Sequence, residues 1–208
     1  MKQQHQLKAL VFDFGGVLMD LDMERCIRNF KILGVQHIDQ YLGQYGQAGI
    51  FLQFEQGEIS AVEFRQKVRA LCLDGVTDDQ IDAAWCSFLL DIPQNKLELL
   101  IQLRRKYRLY LLSNTNPIHI GYCEKEIFGP HHQTIHDYFD KCYFSYEMKL
   151  TKPGAAIFNK MIVDAGIEPE ASLFIDDGLK NIEQAAAMGM QTYWLHIPDD
   201  LSSLQKLL

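Results

Sequence analysis

The sequence has 208 residues, 48% hydrophobic and 23% charged, which suffices for one sizeable core with a smaller appended domain and excludes two large independent ones. Its formal net charge of -7 at pH 7 excludes broad nucleic-acid binding, which needs clustered Lys and Arg against phosphate. Five scattered cysteines, Cys26, Cys72, Cys86, Cys123 and Cys142, form no C-x-x-C pair, so a reducing, cytoplasmic compartment is expected and a zinc site is not.

In chain order, a polar start (Lys2-Gln3-Gln4-His5) leads into an apolar run from Leu7 to Phe14 that Asp13 interrupts. This pattern predicts a strand rather than a signal peptide, and no run is long enough to span a bilayer. From Met19 to Ile92 there is no good strand. Helix starts stand there instead: Asp22 before Met23-Glu24-Arg25, and capping boxes at Ser60-Ala61-Val62-Glu63 and Thr77-Asp78-Asp79-Gln80. Residues 19–92 therefore read as a small helical cap domain inserted after the first strand, and 1–18 with 93–208 as the core.

Pro93 opens a helix on which Leu97, Leu100 and Ile101 share a face, and Arg104-Arg105-Lys106 at its end compensates the dipole. Four further apolar runs follow, Arg108 to Asn114, Lys141 to Ser145, Ser172 to Asp177 and Gln191 to His196. Their near-continuous hydrophobicity suits strands buried on both faces of a parallel sheet. Between them, one helix runs from Pro153 to Gly166 and another from Asn181 to Met188, closed by Gly189. Strand then helix, repeated, predicts an α/β fold with a doubly wound, five-stranded parallel sheet. His131, His132 and His136 lack carboxylate or thiolate company and read as a solvated loop. Tyr138, Phe139, Tyr143, Phe144 and Tyr146 read as strand packing.

Ligands of open α/β sheets bind at the carboxyl ends of the strands. Here those ends carry Asp13, Ser113-Asn114 and Asp176-Asp177, and Lys152 opens the helix after the third strand. Singly these are turn residues or surface side chains; together they offer carboxylates for a hard cation, a hydroxyl for a phosphoryl oxygen and an ammonium for the remaining charge. Their order resembles the haloacid dehalogenase superfamily, whose Rossmann-like core carries four motifs. They are matched by Val11-Phe12-Asp13-Phe14-Gly15-Gly16-Val17, Leu111-Leu112-Ser113-Asn114, Lys152-Pro153, and Phe174-Ile175-Asp176-Asp177-Gly178-Leu179-Lys180-Asn181.

The resemblance implies a magnesium-dependent phosphatase for small phosphorylated metabolites, sugar phosphates first. Asp13 is then the nucleophile and a metal ligand, joined by Asp177 and the Gly15 carbonyl, with Asp176 in or next to that shell. Ser113 and Lys152 hold the phosphoryl oxygens, Asn114 belongs to substrate binding, and Asn181 braces the acidic pair or Lys152. No nucleic-acid or membrane partner is expected, and the chain is expected to be a monomer or weak homodimer.

One position departs from the pattern: Gly15 replaces the acid that ordinarily protonates the leaving oxygen and later activates water. A steep dependence of rate on leaving-group pKa is therefore expected, with Asp20 or Asp22 as stand-ins. The same gap keeps open a catalytically weak sensor that only binds phosphometabolites. The Asp-x-Gly form, Asp20-Leu21-Asp22, Arg25 and the stretch Glu55-Gln56-Gly57-Glu58-Ile59-Ser60 resemble a subgroup that includes bacterial glucose-1-phosphate phosphatases, which implies that Arg25 faces the substrate.

Overall fold

The first apolar run forms β1 (Ala9–Phe12) in the computed structural model, which describes residues 6–43, 46–196 and 201–207. The chain then leaves the sheet for a helical excursion: α1 (Met23–Ile32), α2 (Gly49–Glu55), α3 (Ala61–Arg69) and α4 (Asp78–Cys86). Each helix start signalled in the sequence is occupied. Asp22 accepts a hydrogen bond from Arg25 N, and both capping boxes, Ser60 with Glu63 and Thr77 with Gln80, are closed.

The excursion is not wholly helical, contrary to expectation. Leu42–Gly43 (β2) and Gly46–Gln47 (β3) pair antiparallel, each too short to show the two-residue alternation by which strands are read. The excursion has its own apolar core. Phe51 sits at its centre, edge-on to Phe30, Phe64 and Trp85 at ring distances of 5.5, 5.3 and 4.9 Å. Such pairs add about 0.5–1.5 kcal/mol each beyond area burial. Ile118, from beyond the excursion, joins this cluster.

The way out and the way back run side by side. Asp20 N donates to Asp91 O, Leu90 N to Asp20 O and Asp22 N to Phe88 O, and Leu21 bridges Leu89 antiparallel.

After this neck come α5 (Gln94–Leu103), β4 (Arg108–Ser113), α6 (Pro117–Tyr122), β5 (Lys141–Phe144), α7 (Ser145–Met148), α8 (Ala155–Ala165), β6 (Ser172–Asp176), α9 (Leu179–Ala187), β7 (Gln191–Trp194) and α10 (Ser202–Leu207). The strands order as β5-β4-β1-β6-β7, every pairing parallel. Because side chains alternate along a strand, Leu10 and Phe12 pack on the α5 side with Leu97, Leu100 and Leu103. Val11 packs on the other side with Ile157, Phe158 and Met161 of α8. The buried face of α5 is not the expected one throughout: Ile101 is exposed, while Leu99 and Leu103 are buried. His131, His132 and His136 are exposed, and Tyr138, Phe139, Tyr143 and Phe144 are buried.

Candidate active site

With all five strands of the main sheet parallel, every carboxyl end points to one rim, and β1 delivers Asp13 to its middle. Asp13 Oδ1 accepts from Phe14 N at 2.7 Å and pairs with Lys152 Nζ at 2.8 Å. Its Oδ2 has no hydrogen-bond partner among the described residues.

Lys152 is buried and reaches Asp176 Oδ2 as well, at 2.7 Å. Asp176, at the end of β6, is saturated: Oδ1 accepts from Gly178 N at 2.7 Å, and Asn181 Nδ2 donates to Oδ1 at 2.9 Å and Oδ2 at 3.1 Å. Asn181 thus braces Asp176, and through it Lys152. Asp177 follows directly, its main-chain carbonyl fixed by Trp194 Nε1 at 2.9 Å. Gly16 has φ +77°, and a Cβ there would collide with Asp177 Oδ2, so only glycine lets the turn after β1 close against that carboxylate.

Charge is unbalanced at this rim. Asp13, Asp176 and Asp177 each bring a carboxylate oxygen within 4.8 Å of the others, with Lys152 as their ammonium partner. Burial works against the charge of Lys152, but Asp13 and Asp176 hold it above the ordinary lysine value. Burial also pushes Asp13 well above the usual carboxylate range; Lys152 pulls it back, and Asp176 and Asp177 push it further up. Asp177 is pushed up to about 6, by burial first and Asp176 second. The shifts of Lys152 and Asp13 oppose one another. The arrangement resolves in favour of a charged Lys152 held by Asp176, with Asp13 the member that resists ionisation. A second positive charge among these oxygens would relieve it, and an all-oxygen donor set suits a hard cation such as magnesium.

Ser113 closes β4 and lines the same cavity, of about 90 Å³. Asn114 lines it too, but its amide is committed elsewhere: Nδ2 donates to Lys152 O and Oδ1 accepts from Lys152 N, both at 2.9 Å. It holds the lysine's main chain. Arg25 does not line the cavity. Its Nε and Nη2 donate to Ser87 O and Leu89 O, both at 2.6 Å, so the guanidinium ties the neck together. The expected stand-ins for the missing acid are also occupied, Asp20 by Lys96 Nζ at 2.9 Å and Asp22 by the α1 cap at 2.8 Å.

Sequence reasoning missed four polar residues of the cavity wall, Gln47, Glu55, Thr115 and His119. His119 stacks on Trp85 at 4.3 Å, its Nε2 lies 3.1 Å from Trp85 O, and burial lowers its pKa to about 4. Glu55 ends α2, and burial alone pushes its carboxyl up to about 8. The only sequence signal for it was the Glu55 to Ser60 stretch, which named no role.

The model of the haloacid dehalogenase-like hydrolases matches residues 7–189. A D-ribitol-5-phosphate phosphatase from Bacteroides thetaiotaomicron is 38% identical over 187 residues, covering 90% of this chain and 91% of its own. A haloacid dehalogenase family enzyme of the same organism, solved with magnesium and inorganic phosphate, is 48% identical with a TM-score of 0.89, covering 95% of this chain and 98% of its own. A haloacid dehalogenase-like hydrolase from Porphyromonas gingivalis is 37% identical with a TM-score of 0.90, over 97% of this chain and 98% of its own.

Proposed function

Because the chain belongs to the haloacid dehalogenase-like hydrolase family, we propose that it is a magnesium-dependent phosphatase of small phosphorylated metabolites, sugar and sugar-alcohol phosphates foremost, working through an aspartyl-phosphate on Asp13. The observation that carries this reading is the convergence of Asp13, Asp176, Asp177 and Lys152 in one small cavity. The D-ribitol-5-phosphate phosphatase and the magnesium and phosphate bound by the solved relative support it.

Asp13, Asp177 and the Gly15 carbonyl would hold magnesium, which when bound neutralises phosphate charge and draws Asp13 into its ionised form. The protein's own groups do the rest. Phe14 N and Lys152 pin Asp13 Oδ1, which leaves Oδ2 to attack phosphorus. Lys152 and Ser113 take the phosphoryl oxygens, so a dianion can approach a carboxylate. The ester P–O bond breaks, the phosphoryl group passes to Asp13, and water then releases it. Residues 19–92 act as a cap over the core of 1–18 and 93–208 and exclude bulk water during these steps. The five cysteines, all unpaired, support a reducing, cytoplasmic setting.

The test is phosphate release from p-nitrophenyl phosphate and D-ribitol 5-phosphate, with magnesium and in excess chelator, by the wild type and Asp13→Asn. Turnover should need both magnesium and Asp13; an unchanged rate in chelator overturns the metal, and a variant within tenfold of wild type, about 1.4 kcal/mol of barrier, overturns the nucleophile. Gly15 favours one rival, a sensor that binds phosphate esters without turning them over, and saturable binding without phosphate release would establish it.

A further inference from the structure

On the reading that the protein is a phosphatase, we propose that Glu55 does the proton transfer that Gly15 cannot, giving its carboxyl proton to the departing ester oxygen and then, as carboxylate, taking one from the attacking water.

Position argues for it first. Glu55 and Asp13 line the same cavity of about 90 Å³, so the two carboxyl-bearing residues belong to one site. Glu55 is tied to the rim by its main chain. Ser145 Oγ donates to Glu55 O at 2.6 Å and accepts from Thr115 N at 2.9 Å, two residues from Ser113. Two residues after Glu55, the Cα of Gly57 lies so close to the core that a Cβ would collide with Tyr146 O. The end of α2 is therefore seated by contacts that leave the carboxyl itself unused.

That carboxyl is the second observation. The residue is 6% exposed, and no hydrogen bond to its carboxyl is found among the described residues. Glu55 is a lining residue of the cavity in which an ester oxygen would sit, so a carboxyl without a protein partner is available to one. Its protonation suits the task. Burial is the sole cause that lifts it to about 8, so Glu147 of α7 and the charged residues of α3 do not set it. At neutral pH it holds a proton to give.

The competitors are excluded by their bonds. Asp20 is paired with Lys96, Asp22 caps α1, and Asp176 is saturated. His119 is neutral, and the N–H on Nε2 is directed at Trp85 O, which leaves it no proton for the cavity.

The steps balance. As Asp13 Oδ2 bonds to phosphorus, the ester P–O bond breaks; its electron pair goes to the leaving oxygen, which takes the Glu55 proton and departs as a neutral alcohol. Water then attacks the aspartyl-phosphate while Glu55 carboxylate accepts its proton. The P–O bond to Asp13 breaks, its electron pair restores the Asp13 carboxylate, and phosphate leaves with Glu55 protonated again.

The experiment compares Glu55→Gln with the wild type on two magnesium-loaded reactions. p-Nitrophenyl phosphate has a leaving group that needs no proton, and D-ribitol 5-phosphate has one that does. Glu55→Gln should lower kcat on the ribitol ester by about 10²–10⁴-fold with little change in KM. On the aryl ester the first turnover should stay within about tenfold of wild type and appear as a burst of one nitrophenolate per site, because the slowed second step lets phosphoenzyme accumulate. Equal losses in the first-turnover rate on both esters, or a change confined to KM, would overturn the proton-transfer role and leave the phosphatase reading standing. A wild type that releases phosphate from neither ester overturns both. Should Glu55→Gln fail to fold, the wild type alone decides: a shallow dependence of rate on leaving-group pKa supports a resident acid, and a steep one overturns it.

Discussion

The helices between Met23 and Cys86 bury Phe30, Phe51, Phe54, Phe64 and Trp85 against one another, while the strand ends a short distance along the chain bury Asp13, Lys152 and Asp176. In the first region each contact is worth a little, and the losses on truncation are local because apolar attraction is non-directional. In the second, each group is tolerable only because of the others: Lys152 offsets two carboxylates, and Asp176 holds Lys152. Packing gives stability by accumulation; the charge cluster gives a poised site by mutual dependence.

Lys152→Met is the most severe way to probe the difference. It should lower turnover by at least about 10²–10³-fold and cost about 3–5 kcal/mol of stability, since breaking a buried pair leaves uncompensated charge. Denaturant unfolding beside a phosphate-release assay checks both, and loss of activity at full stability would mean the cluster is not interdependent.

Phe51→Ala probes the other side. A cavity amid Phe30, Phe64 and Trp85 should cost about 3–5 kcal/mol, yet turnover of p-nitrophenyl phosphate at saturating substrate should survive below the new melting temperature. If chemistry collapses while the fold persists, the two regions are not energetically separate.

pH separates them more finely. Glu55 is raised from 4.5 to about 8, so its contribution is complete below pH 4.5 and lost as pH rises to about 8. His119 is lowered from 6.5 to about 4, so its contribution is complete above pH 6.5 and lost as pH falls to about 4. Between pH 6.5 and 8 the wild type should therefore lose stability relative to Glu55→Gln, by up to about 1.4 kcal/mol per pH unit. Parallel unfolding midpoints across that window would remove Glu55 from the buried, protonated state.

Ser60→Ala is the mildest change. Opening the α3 capping box should cost about 1 kcal/mol and leave kcat where it was; urea unfolding and initial rates suffice to check it.

Much of this was legible in the sequence for a physical reason. Strands buried on both faces must be almost continuously apolar, so the runs at Leu7, Arg108, Lys141, Ser172 and Gln191 stood out, and Asp13, Ser113, Asp176 and Asp177 lie at or next to their ends. Caps are local, so Asp22, Ser60 and Thr77 could be read in place. Glu55 and His119 could not be found this way, because the packing of α2, α4 and α6 brings them to the cavity and no neighbouring residue announces it. The hydrogen bonds of Asn114 to the Lys152 main chain and of Arg25 to the neck were hidden for a related reason: main-chain carbonyls and amides that claim a side chain are invisible in a sequence.

The neck of the helical excursion carries a consequence for inheritance. Residues 20–22 and 88–91 lie side by side, hydrogen-bonded and clamped by Arg25, so the two points where the excursion joins the sheet almost coincide. A segment whose ends meet can be lengthened, trimmed or replaced without asking the strands to move. Selection can then rewrite what is admitted to the cavity while the residues at the strand ends stay as they are, and descendants of one ancestral hydrolase can diverge in diet without having to reinvent how they break a bond.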